Sequence, residues 1–383
     1  MRIYGKILLN PNKDIRTKNN IWINTMILVL LAFGTWILTL IARDNSQIVE
    51  RFYSSTIYPH IGKSIGWISG ILPISIAEAF MILVVLLLFI IVVLILVKPK
   101  SFINNFNRAF HYTIRFLSIM YILFYFTWGF NYYREDYMDL GQMNKEPGTI
   151  QELKELTTEV ISNVNILRES LPEDENGVFT IKENFRDLSY IAQKGFENFN
   201  IGSINLDGNY GRAKPVFFSK WMSYTGIMGM YFPYTSEPNI NTEIPFADLP
   251  NTICHEMAHQ RGFAKEDEAN FIAYKASINN PDDRFKYSGY YLAMGSLMND
   301  LYKKDREAYF SLYSSISDAV KRDMDYSRNY WKSKEGPVEE TLTTMNDNYL
   351  KANNQKHGVI SYSKVVELLL SEYKEKVNLG KNQ

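Results

Sequence analysis

The sequence predicts an α-helical membrane anchor followed by an α+β domain, in which a small sheet precedes a mostly helical body. Three observations predict it. Long uncharged apolar runs are confined to the first 133 residues. The composition changes abruptly after Arg134. Helical apolar periodicity then brackets a Gly/Pro/Asn-rich stretch with short β-prone runs. Averages hide this division. The chain has 383 residues, 41 Lys+Arg against 41 Asp+Glu, and 46% hydrophobic residues, an ordinary soluble composition. Yet residues 1–135 hold 13 Lys/Arg and 5 Asp/Glu, a net +8, and residues 136–383 hold 28 and 36, a net −8. The zero total excludes a nucleic-acid binder that relies on a global basic field. The single cysteine, Cys254, excludes an intramolecular disulfide framework and a multi-cysteine metal site.

The anchor is expected over residues 1–135, with spans at about 21–42, 75–97 and 114–133. Ile21 to Ala42 is 22 residues without a charge, and Ala79 to Val97 is 19 more, apolar on every face. About 20 residues at 1.5 Å each cover a hydrocarbon layer of roughly 30 Å. Phe116 to Tyr133 is a third uncharged run, closed by Trp128, Tyr132 and Tyr133, ring types that favour the membrane interface. Basic residues set the orientation. Arg2, Lys6, Lys13, Arg16 and Lys18 precede the first span, and Lys98, Lys100, Arg108 and Arg115 lie between the second and third. The stretch 43–70 has only three, offset by Asp44 and Glu50. The expectation is a multi-pass protein of the cell membrane, with a cytoplasmic amino terminus and everything after about residue 134 outside. The first run lacks a short h-region with a cleavage site, so it reads as a retained anchor. His60 and His111 are expected to be loop or interface residues.

A linker is expected over 136–148, with Pro147 and Gly148 as breakers, and the outer domain over 149–383. Thr149 is placed to cap a helix carrying Leu153, Leu156, Val160, Val164 and Leu167; Thr180 with Glu183 has capping-box spacing for a second. The β-prone runs are Pro215 to Phe218, Ile227 to Phe232 and Asn239 to Ile244, and after 249 the chain reads as nearly all helix.

One constellation carries chemistry: His255-Glu256-Met257-Ala258-His259, followed by Gln260 to Asn270. On a helix beginning near Pro250, capped by Asp248 or Asn251, His255 and His259 lie at i and i+4 and project from one face, so both can reach one Zn²⁺. Glu256 lies off that stripe, placed to reach the metal's water as a general base. Ile253 and Met257 fall on another stripe and would bury the helix. Gly262 suits a left-handed C-cap, which lets a second helix begin near Lys265. A catalytic zinc needs a third protein ligand. Glu266 is the expected one, with Glu268 as rival, pointing about 200° round the helix from it. Asn270, one turn beyond Glu266, is expected to orient a ligand histidine. Cys254 is expected to be a small buried residue. The bland alternative is a surface helix with two solvated histidines before an acidic helix start.

The stretch His255 to Asn270 resembles a zincin metallopeptidase, and within that clan the gluzincins, which use His-Glu-x-x-His and a Glu in a downstream helix, often as Glu-x-x-Ala-Asn. The gap from His259 to Glu266 is shorter than in the better-known gluzincins, and Lys265 stands where a metzincin has its third histidine. The whole chain more closely resembles an uncharacterised bacterial family with a domain of unknown function and about three amino-terminal spans. That resemblance rests on Trp128-Gly129-Phe130-Asn131-Tyr132-Tyr133, Tyr231-Phe232-Pro233-Tyr234-Thr235-Ser236-Glu237 and His255 to Asn270. It implies a zincin-like domain outside the membrane and a metal site, but no substrate. Zincins bind an extended peptide on an edge strand above the active-site helix. Asn239 to Ile244 is the expected edge strand here, against a plain loop. Trp221 to Tyr234 is expected to be core sooner than a specificity pocket, and Trp331, Tyr349, Tyr362 and His357 are candidates to stabilise an oxyanion.

The expected activity is therefore zinc-dependent hydrolysis of peptide bonds in a peptide or protein substrate, at a site tethered to the lipid bilayer. Zn²⁺ would be held by His255, His259 and Glu266, with Glu256 as base. The alternative is a catalytically inactive module of the same fold that binds a protein or cell-wall partner.

Overall fold

The structure, a computed structural model, describes residues 11–353 and 364–381. Arg2, Lys6, His357 and Tyr362 lie outside the described residues. The chain is mostly helical with two small sheets.

Among the described residues, three helices are long and apolar enough to cross a membrane: Asn20–Arg43 within the helix Pro11–Arg43, Ile76–Val97, and Phe106–Thr127 within the helix Pro99–Thr127. None of the apolar window of Ile76–Val97 is buried by protein. So large an exposed apolar surface marks a face that meets lipid or another protein. The first and third spans touch through polar groups. Arg115 Nε donates to Thr25 Oγ1 at 2.9 Å, His111 Nδ1 lies 3.2 Å from the same oxygen, and the Trp22 ring meets His111 edge-on at 4.3 Å. His111 is thus buried between helices, whereas His60 is exposed.

The third span ends six residues before the expected limit. The helix stops at Thr127, and Gly129–Tyr133 form a 3-10 turn in which every residue is buried by protein. Gly129 is needed there, since a Cβ would sit 2.8 Å from the Phe124 ring. Trp128, Tyr132 and Tyr133 therefore belong to a protein core and not to a membrane interface. With Tyr58, Tyr125, Phe130, Tyr231 and Ala264 they make an apolar cluster between the spans and the rest of the chain.

The segment between the first two spans is helical: π-helical Val49–Ile57, then Tyr58–Gly70. Gly66 lets Tyr58–Gly70 lie directly on the 208–212 segment; a methyl group there would overlap the Tyr210 carbonyl. Nor is 136–148 a free linker. The Tyr137 N–H donates to Glu268 Oε1 at 2.9 Å, and Lys374 donates to the carbonyls of Glu146 and Pro147 at 2.8 and 3.0 Å.

In the body, Ile150–Glu169 carries the expected capping box, Thr149 with Glu152. The next helix, Phe185–Lys194, starts later than expected and is capped by Asn184, because Thr180 is held in a turn by its N–H bond to the Pro172 carbonyl at 3.0 Å. A three-stranded sheet has Glu237–Ile240 at its centre, parallel to Lys214–Pro215 and antiparallel to Gly229–Phe232. Leu249–Gln260, Glu266–Asn279 and Asp283–Lys304 then build a helical layer around a core that includes Leu153, Val164, Ile253, Met257, Phe271, Phe285, Leu297 and Leu369. The sheet is fastened to the anchor. Glu237 accepts the N–H of Ala77 at 3.0 Å, capping the span Ile76–Val97. Asn239 accepts from Ser75 at 2.6 Å, and Tyr234 donates to the Met120 carbonyl at 3.1 Å.

Candidate metal centre

The helix Leu249–Gln260 is seated by the faces the sequence indicates. Ile253, Cys254 and Met257 are fully buried, and the Cys254 thiol is pushed up to about 12 by that burial. The expected side-chain cap is absent. Asp248 occupies the cap position without making the bond, and Ser288 Oγ, from a neighbouring helix, accepts from Asn251 N at 3.0 Å while donating to the Ala247 carbonyl at 2.6 Å. The other end is as expected. Gly262 has φ +88°, and the N–H of Phe263 reaches back to the Ala258 carbonyl. The chain reverses there, and Glu266 opens the helix Glu266–Asn279 beside the two histidines.

His255, His259 and Glu266 meet at one point. Their ligating atoms all lie within 4.8 Å of one another. The two Nε2 atoms are 3.0 Å apart, Glu266 Oε2 is 3.3 Å from His255 Nε2, and Glu266 Oε1 is 3.7 Å from His259 Nε2. Ligands held tetrahedrally at zinc bond lengths of about 2.0–2.1 Å stand roughly 3.3 Å from each other. The three spacings bracket that value, and two imidazoles with one carboxylate are a donor set that suits zinc. The electrostatics agree. Burial alone would lower the His259 pKa, but the Glu266 carboxylate outweighs it and lifts it to about 9. Burial would raise Glu266, yet the two imidazoles hold it far below the carboxylate range. The cluster therefore favours a positive charge at its centre.

Glu268, the rival ligand, points elsewhere: its carboxylate accepts from Tyr137 N and lies 3.4 Å from Lys265 Nζ. Asn270 makes no hydrogen bond to either histidine among the described residues. The group that orients His259 is instead the Phe263 carbonyl, 2.7 Å from Nδ1. With Nδ1 donating to that carbonyl, Nε2 is the nitrogen turned toward His255 and Glu266.

A shell of residues from the amino-terminal third holds this turn. Trp128 Nε1 donates to the His259 carbonyl at 3.0 Å, and Tyr58 OH to the Gln260 carbonyl at 2.7 Å. Arg134 donates to the Gly262 carbonyl at 2.9 Å, lies over the Phe263 ring at 3.9 Å, and grips Glu50 through two bonds of 2.8 and 3.0 Å. A Cβ on Gly262 would sit 2.8 Å from the Tyr58 ring, so only glycine admits this contact. Sequence reasoning misses Glu50, Tyr58 and Arg134. The one available hint is that Arg134 directly follows the aromatic run 128–133.

Glu256 is buried beside the strand Gly229–Phe232. Burial raises its carboxyl, partly offset by the imidazoles, and the backbone of Tyr231 hydrogen-bonds it. Its Oε2 has no hydrogen-bond partner among the described residues, and a Cβ on Gly229 would lie 2.6 Å from its Oε1. This strand, not Asn239 to Ile244, is the sheet edge that faces the site. Glu237–Ile240 is paired on both sides and fully buried, which removes it as a peptide-binding edge. The region 221–234 divides: Tyr231 is core, while Trp221 and Tyr224 are exposed, contrary to the core expectation. Trp331 lies beside Asp248, at the start of the helix Leu249–Gln260.

Residues 53–370 match the model of a family described as "Protein of unknown function (DUF3810)". No curated protein and no solved structure matches the chain.

Proposed function

The chain belongs to the family DUF3810, of unknown function, and we propose from its own residues that it is a membrane-anchored zinc metallopeptidase. In this reading the three apolar helices cross the cell membrane with the amino terminus in the cytoplasm, and the body is a zincin-like domain on the outer face. The convergence of His255, His259 and Glu266 beside a buried Glu256 carries the proposal. A zinc ion bound by the three residues would supply a Lewis acid that acidifies water and polarises the scissile carbonyl.

The chain's own groups do the rest. Glu256, with one carboxylate oxygen unpaired and its pKa raised by burial, is poised to take a proton from water and pass it to the leaving amine. The Gly229–Phe232 edge offers main-chain groups to an extended peptide laid antiparallel along it. Phe263, through its carbonyl, keeps His259 in the tautomer that ligates.

The test is metal analysis of the purified full chain in detergent, with hydrolysis of a peptide library measured beside it. About one zinc per chain is expected, with turnover lost in Glu256→Gln and metal retained. A wild type that binds no zinc, or one as active after Glu256→Gln as before, refutes the proposal. Metal bound without turnover on any peptide makes the protein a binding module instead.

A further inference from the structure

Large apolar side chains stand free of the protein around the start of the helix Ile76–Val97. Trp67, Ile71 and Ile74 lie on the approach to it, the first 64% and the second 66% exposed. Phe217, Phe218 and Trp221 come from the body, with Phe217 at 85% and Trp221 at 70%. These rings are not on a loose loop. The N–H groups of Phe217 and Phe218 donate to the Glu78 carboxylate at 2.8 and 2.9 Å, and Glu78 is the third residue of that span. Ser219 Oγ donates to the Val216 carbonyl at 2.6 Å and accepts the Thr242 N–H at 2.9 Å, closing the turn. The fold thus spends a carboxylate and a turn on presenting apolar rings outward.

Water is the wrong solvent for such a patch. It is continuous with a helix whose apolar window is wholly uncovered, and Phe80 of that helix lies 5.8 Å from Phe232 of the body. Lys220 is exposed among the rings, where a long cationic side chain can reach lipid phosphates. We propose that Trp67, Ile71, Ile74, Phe217, Phe218 and Trp221 form a collar embedded in the boundary between headgroups and acyl chains of one leaflet. The occupant of the patch is lipid. The collar rests on the membrane reading above and is independent of the chemistry at the metal centre. It sets the height of the body, and it brings the Phe232 end of the edge strand to the lipid surface.

Spin labels read this directly. The native Cys254 is fully buried, so single cysteines can be added to the full chain without replacing it. Phe217→Cys, Trp221→Cys and Ile71→Cys are labelled in lipid nanodiscs. Leu88→Cys serves as a reference within the span and Asn176→Cys as one in an exposed turn of the body. The collar supports labels that collide with dissolved oxygen at least about twofold more, and with a water-soluble nickel complex at least about twofold less, than the label at 176. Collar labels indistinguishable from position 176, while position 88 remains in lipid, overturn the collar alone. Position 88 in water as well overturns the membrane reading with it. Labels shielded from both relaxants and broadened by spin–spin coupling show a second copy of the chain on the patch, which also overturns the proposal.

Discussion

Replacing Arg134 with methionine tests how the amino-terminal third supports the proposed metal centre. The Arg134 and Glu50 side chains are 1% and 8% exposed. Methionine would leave the Glu50 carboxylate in that enclosure with the Ser55 hydroxyl, at 2.5 Å, as its remaining side-chain donor. Breaking a buried pair from one side costs about 3–5 kcal/mol, because the surviving charge has lost both water and partner. At about 2–4 °C per kcal/mol for larger domains, the apparent midpoint should fall by roughly 10 °C. The double variant Glu50→Leu/Arg134→Met removes both charges and should recover most of that loss, since an apolar replacement of a buried ion pair is often close to neutral. The site should feel the change too. Arg134 ties down the Gly262 carbonyl and covers the Phe263 ring, and the Phe263 carbonyl orients His259. Outer contacts of this kind are worth about 10–100-fold in metal affinity. The assay is tryptophan fluorescence on heating the full chain in detergent at one scan rate, with zinc and with chelator, plus competitive zinc titration. A single variant within about 1 kcal/mol of wild type, or a double variant as unstable as the single, would refute the reasoning.

Three further outcomes follow from the same geometry. Glu266→Gln should lose tight zinc binding in equilibrium dialysis, whereas Glu268→Gln should keep it; equal loss in both would contradict the assignment of the third ligand. Gly229→Ala should lower kcat by about tenfold or more while zinc content is unchanged, because the new methyl group displaces the Glu256 carboxylate. Burial pushes the Asp248 carboxyl up to about 7, only partly offset by the neighbouring Trp331 and Ser327 side chains. Between about pH 4 and 7 the unfolded chain therefore binds fewer protons at this position than the folded one, so stability falls as pH rises through that window. Asp248→Asn should match wild type near pH 4 and exceed it by about 1–4 kcal/mol at pH 8 in parallel denaturant titrations, and a constant difference across pH would rule this out.

Local chemistry was legible in the sequence wherever a short stretch suffices. The i, i+4 spacing of His255 and His259 dictates that their rings share a face, and Gly262 dictates the reversal that brings Glu266 alongside. The uncharged runs dictate helices long enough to cross a bilayer. Legibility failed where a choice depends on a distant partner. Glu266 and Glu268 are equivalent in spacing arguments until Tyr137 and Lys265 claim Glu268. Phe263 displaces Asn270 as the group that orients His259 because a backbone carbonyl carries no side-chain signature.

The edge strand shows the same limit. The β-prone runs 227–232 and 239–244 do not say which is central; pairing does, and it makes Glu237–Ile240 the middle strand and Gly229–Phe232 the edge. The aromatic run from Trp128 to Tyr133 reads as a membrane-interface belt by composition. It becomes a core only because Gly129 turns it under the His259 carbonyl. The sequence by itself thus determined the membrane-length helices, the histidine pair on one face, the glutamate beside it and the turn that follows, since each depends on helical period or on one residue's backbone freedom. Tertiary structure alone decided which of Glu266 and Glu268 meets the two histidines, the free sheet edge and the Glu50–Arg134 clamp. In those cases the deciding energy is burial or a hydrogen bond to a residue as far as 131 positions away, as between Tyr137 and Glu268, and no local pattern encodes it.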